Sequence, residues 1–149
     1  MKYLLLGFLL LTISHTSCDI SSTIPERRNI DWKKEWENNQ TKLKTLAQDI
    51  MSNGSKKYTT GNNKFPNNFK YPFDDGFFIN RQFNKDGTET ENIDVKKLTI
   101  TFYVDRGLLD HYSAFIFTND STDIKEFDRN VENGGNDFKI EPNWYMIND

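Results

Sequence analysis

The short run Asp105-Arg106-Gly107-Leu108-Leu109-Asp110-His111 holds the residues best equipped for chemistry. An imidazole beside a carboxylate serves as a general base when the carboxylate fixes its tautomer. Neighbours on an extended chain point to opposite sides, however, so adjacency alone makes no dyad of Asp110 and His111. No serine stands in a nucleophile-elbow pattern to complete a triad. Hydrolysis at Asp110 and His111 is therefore the least favoured of three functional readings. The run reads more simply as a hairpin connection, with Gly107 permitting the bend and Asp105 pairing with Arg106 or a backbone amide. Two adjacent leucines in a turn are costly unless covered. Arg106, Leu108, Leu109 and His111 are accordingly expected to be presented to a protein partner.

Two other runs of oxygen-bearing residues invite a metal reading. Asn119-Asp120-Ser121-Thr122-Asp123 sets oxygens at alternate positions, like the first half of a calcium loop. The sixth position is Ile124 where glycine is needed, and the twelfth is Asn130 where glutamate is needed. A helix cap explains these residues better. Asp74-Asp75-Gly76 likewise reads as a turn, and no cofactor is expected. The remaining chemistry lies in rings: Phe65, Phe69, Tyr71, Phe73, Phe77 and Phe78 crowd one stretch. Flat exposed rings there would stack on sugar faces, which makes a glycan-binding module the second reading. Burial of the first four against the core edge is preferred, because a long irregular crossing needs side-chain anchors.

The elements that must position these residues follow from periodicity. Trp32, Trp36, Leu43, Leu46 and Ile50 share one helical face, with Asn39 in the missing step. Asp31 is the expected cap of this helix and Asn53-Gly54 its stop. Residues 56–76 read as irregular. Phe77, Ile79 and Phe83 alternate as a strand interrupted by Arg81, and Lys85-Asp86-Gly87 signals a hairpin turn. Leu98, Ile100, Phe102 and Val104 alternate most regularly, and residues 112–118 return as the antiparallel neighbour. Ile124, Phe127 and Val131 mark a short second helix capped by Ser121 and stopped at Gly134-Gly135. One last strand is expected within residues 138–147, bent at Pro142. The order predicts an α+β domain: a single antiparallel sheet of about 4–5 strands packed by a long N-terminal amphipathic helix and a short second one.

Ahead of all this stands MKYLLLGFLLLTISHTSC. Lys2 gives a positive start, residues 3–13 form an apolar run, and small polar residues lead to Cys18, the one cysteine. This is the layout of a secretory signal peptide, too short for a spanning helix of about 20 apolar residues. The ending Thr16-Ser17-Cys18 resembles the lipobox of bacterial lipoprotein precursors, with His15 where an aliphatic residue is usual. The resemblance implies diacylation of Cys18 (palmitate-type chains), cleavage just before it, and anchoring in a bacterial cell envelope. It implies nothing about the domain that follows.

Three segments result: a signal peptide at 1–17, a lipid-anchored tether at 18–29 containing Pro25 and Arg27-Arg28, and a single domain at 30–149. Loss of Lys2 with the leader takes the net charge from −3 to −4, and no basic stripe emerges to bind nucleic acid. The mature chain keeps His111 as its one imidazole, which excludes zinc sites built from several His or Cys ligands and a Cys–His nucleophile pair. Without a cysteine pair, packing alone must hold the domain. The expected function is non-catalytic binding of a protein partner, of which an immunity or inhibitor protein is one form. The membrane is met through the lipid at Cys18.

Overall fold

A computed structural model of the chain describes residues 30–106 and 111–148. Cys18, the leader, the tether and positions 107–110, including Leu108, Leu109 and Asp110, lie outside the described residues.

The long helix α1 (Trp32–Lys57) starts as its sequence dictates, the Asp31 carboxylate accepting the Lys34 amide at 3.3 Å. Trp36, Leu43, Leu46, Ala47 and Ile50 are buried along one face. Asn39 sits among them because its amide donates to the Glu35 carbonyl at 2.9 Å, which satisfies a polar group that burial would otherwise penalise. The expected stop at Gly54 is instead a kink: Gly54 leaves helical geometry and the chain continues to Lys57. Asp49 holds this last turn by accepting from Asn53 (2.6 Å), Lys57 (3.1 Å) and Tyr58 (2.6 Å).

The domain is α+β, as expected, but its main sheet has six strands rather than 4–5. These are β1 (Gly61–Lys64), β2 (Gly76–Ile79), β5 (Thr99–Arg106), β6 (Tyr112–Thr118), β7 (Phe138–Glu141) and β8 (Trp144–Asn148), in the antiparallel order β1-β2-β5-β6-β8-β7. Both extra strands are edges. The residues of β1, Gly-Asn-Asn-Lys, have little strand propensity and are held by pairing with β2. The expected single last strand is a hairpin, in which Asn143 adopts a left-handed φ of 68° after Pro142 and lets β8 fold back on β7.

The strand expected through Phe83 also divides. Asn80 accepts the Thr99 amide and donates to the Lys97 carbonyl, both at 2.9 Å, so its side chain stands in for the ladder. Beyond it, β3 (Gln82–Phe83) pairs with β4 (Glu89–Thr90) in a separate ribbon closed by Gly87 at φ 82°. Gln82 is buried there and Phe83 is 63% exposed, the reverse of the alternating pattern.

Inside the sheet the alternation holds. Leu98, Ile100, Phe102 and Val104 are buried against α1 with Phe115, Phe117, Trp144 and Met146. Trp36 meets Phe115 and Trp144, ring centroids 5.2 and 5.0 Å apart. Each such burial contributes roughly 1.5–3 kcal/mol. The opposite face carries Ala114, Ile116, Tyr145 and Ile147, covered by Phe127 and Val131 of α2 (Ser121–Glu132). The cap of α2 is Asp120, not Ser121, its carboxylate accepting the Thr122 amide at 2.8 Å. The result is three layers: helix, sheet, helix.

Gly76 is where β2 meets β1 most closely: a Cβ added there would lie 2.4 Å from the Asn63 carbonyl oxygen. Gly76→Ala is expected to destabilise the domain by about 1–3 kcal/mol and to expose the amides of β1 first. Denaturant unfolding with hydrogen exchange checks this, and an unchanged midpoint with β1 still protected would contradict it.

Candidate functional site

The β5–β6 hairpin runs through the centre of the sheet, and its last described pair, Arg106 with Tyr112, lies at one end of the strands. The register slips between Tyr103 and Asp105, a bulge that re-aims the residues at the strand end. Arg106 then pairs with Asp74 (Nε–Oδ2 2.6 Å) rather than with Asp105, for which Arg106 is one of two expected partners. Its guanidinium lies 3.9 Å from the centroid of Tyr103, which meets Tyr112 edge to face at 5.6 Å. Asp74 is fixed in turn, its other oxygen accepting the amides of Asp75 (2.8 Å) and Gly76 (3.3 Å). The turn reading of Asp74-Asp75-Gly76 is what the geometry gives. His111 is exposed at the start of β6, and the residues between it and Arg106 lie outside the described ones.

Beside this end, Phe65, Phe69, Tyr71 and Phe73 are half-buried against the core. Phe65 and Phe69 stack on each other at 4.5 Å and 7°. Tyr71 is tilted 55° to Phe65, and Phe73 is 76° to Tyr71. The rings therefore form no coplanar shelf. Phe77 is buried and Phe78, one residue on, faces the other side of the sheet. The four rings line an open concavity of about 610 Å³ together with Lys70, Asp74 and Asp75. One feature of it escaped the sequence: the Tyr71 hydroxyl is buried with no hydrogen-bond partner. Burial above all, then the carboxylates of Asp74 and Glu35, pushes this phenol above its ordinary range.

The other carboxylates with resolved surroundings serve the scaffold. Three residues of the Asn119–Asp123 run have their oxygens engaged by the scaffold: Asn119 accepts from Asn143 (3.0 Å), Asp120 caps α2, and Asp123 accepts from Thr99. Asp128 binds Lys139 (2.7 Å) and the Tyr145 hydroxyl (2.8 Å), tying α2 to the β7–β8 hairpin. Among the described residues, no group of three or more His, Cys, Asp or Glu side chains is arranged to hold a metal ion.

A second feature the sequence reading missed lies at the start of α1. Trp32, expected to be fully on the buried face, is only half-buried and stacks on Phe138 of β7, centroids 4.9 Å apart and 25° between planes. Phe138 is 42% exposed. The helical period located Trp32, but nothing local could reveal a ring arriving from a strand a hundred residues later.

No family model, curated protein or solved structure matches the chain.

Hydrogen bonding sets a pH dependence. The Tyr58 hydroxyl does most to lower the Asp49 carboxyl, burial opposes it, and Asn53 and Lys57 add to the lowering. The Lys139 ammonium, followed by Tyr145, lowers Asp128. A carboxyl whose folded pKa lies below its unfolded value contributes stability that is present above the unfolded value and lost as pH falls through the folded one. Chemical unfolding followed below pH 4 should therefore show an acid-side loss that is shallower in Asp49→Asn/Asp128→Asn. An identical slope in wild type and variant would contradict this assignment.

Proposed function

We propose that the chain is a lipid-anchored bacterial envelope protein whose α+β domain binds a protein partner and performs no catalysis of its own. The observation that carries this reading is Cys18, a lone cysteine closing an apolar leader in a chain with no second thiol to pair with it. A bare thiol in an exported protein is reactive, and a thioether to lipid removes that hazard. Two or three acyl chains hold a protein stably, at about 0.8 kcal/mol per buried methylene.

Within the domain, Asp49 and Asp128 are tied into scaffold contacts, accepting from Tyr58 and Lys57 and from Lys139 and Tyr145. The surface proposed for the partner is the hairpin end bearing Arg106, Leu108, Leu109 and His111. Asp74 and Tyr103 hold Arg106 from two sides, and a pre-ordered base lowers the ordering cost of binding. An immunity or inhibitor protein, neutralising a toxin in the same compartment, is one form such a partner-binding module takes.

A second reading, glycan binding at the aromatic concavity, draws on Phe65, Phe69, Tyr71 and Phe73, whose rings line it. The mutual tilt of the rings weighs against it, because stacking on a sugar needs a flat, open face.

The test is metabolic labelling with a palmitate analogue in an exporting bacterium, followed by crosslinking in membranes. Wild type is expected to take the label and Cys18→Ala to lose it. A reproducible protein partner should be captured by wild type and lost in Leu108→Asp/Leu109→Asp. Equal labelling of wild type and Cys18→Ala, or no partner specific to the hairpin end, would overturn the proposal.

A further inference from the structure

We infer that the Trp32–Phe138 stack is a lipid seat, which lays the β7 edge of the sheet against an anionic membrane surface. The inference rests on the anchor proposed at Cys18. Among the described residues only two large apolar side chains are strongly exposed, Phe83 and Phe138. Phe83 lies on the β3–β4 ribbon beside the far end of α1, where Thr60 bonds the Thr90 carbonyl and Ser55 bonds the Ile93 amide. Phe138 instead meets Trp32, two residues past the point where the tether joins the domain. A pair of stacked rings half in water suits the bilayer interface, where aromatic side chains collect.

The charges beside the rings favour the same occupant. Lys33 and Lys34 occupy the first turn of α1, where the positive end of the helix disfavours cations. Lys33 lies over the Trp32 ring at 5.5 Å. Among the described residues neither lysine makes an ion pair. Their placement opposes helix stability and leaves both ammonium groups available to lipid phosphates. Asp31, Glu35 and Glu37 share the same stretch, so attraction is local and the rings carry most of the contact.

Length completes the case. Eleven residues separate Cys18 from Ile30, a length of chain that can reach at most about 40 Å. An anchor so close keeps the seat at an effective concentration near millimolar, enough for a patch too weak to bind lipid unaided.

The test uses the full chain, processed in an exporting bacterium and reconstituted into phosphatidylcholine–phosphatidylglycerol vesicles carrying a headgroup-level spin label. Flotation reads the anchor, and quenching of tryptophan emission reads the seat. Trp36 and Trp144 are each 5% exposed, so quenching by the label reports Trp32. The protein is expected to float and be quenched, with Trp32→Phe losing at least about half of the quenching. Lys33→Gln/Lys34→Gln should weaken quenching about twofold. Flotation with equal quenching in wild type and Trp32→Phe would overturn the seat and leave the anchor standing. Failure to float would overturn the anchor, and the seat with it.

Discussion

One helix seals one face of the sheet, and the rest of the domain depends on that closure. Trp36 lodges against Phe115 and Trp144, while Leu43 and Ile50 lie fully buried above the strands. Without the helix, Ile100, Phe102 and Met146, all at 2% exposure or less, would face water. No disulfide joins the layers, since the chain has one cysteine. The closure must therefore come from apolar burial, which is non-directional and scales with area.

The second face is closed more lightly. No residue of α2 is fully buried, and its hold on the sheet combines Phe127 and Val131 with polar clasps at both ends. Near its start, Asp123 accepts from Thr99, which is joined to Thr118 at 2.7 Å. Further along, Asp128 gathers Lys139 and Tyr145. Carboxylates committed in this way are poor candidates for turnover. The features not committed in this way lie at the margins of the described structure: the Arg106–Asp74 pair, the aromatic concavity and the Trp32–Phe138 stack.

How much was legible follows from which residues carry a local pattern. Ile100, Phe102 and Val104 alternate because one face of β5 lies under α1, and the period of α1 names its own buried stripe. Residues 112–118 could be paired with β5 because a short connection forces antiparallel neighbours. The edges could not be read. The four residues of β1 carry no apolar signal, and the turn at Asn143 depends on a left-handed residue that many sequences would leave in a loop. Asn80 breaks a strand through two side-chain bonds to residues 17 and 19 positions away, which no window of sequence contains. The site divides the same way. Asp74 was legible as a turn, but its ion pair with Arg106 spans 32 residues. The meeting of Trp32 with Phe138 is longer still.

Native-state hydrogen exchange of the α1 amides from Leu43 to Ile50, set beside those of Ile100 to Val104 in β5, tests the closure most directly. If the helix and the sheet stabilise each other, both sets open only with the whole domain and give the same free energy of exchange. Exchange of the helical amides at markedly lower cost, with β5 still protected, would mean that the sheet stands without α1 and that the seam around Trp36 does not hold the fold.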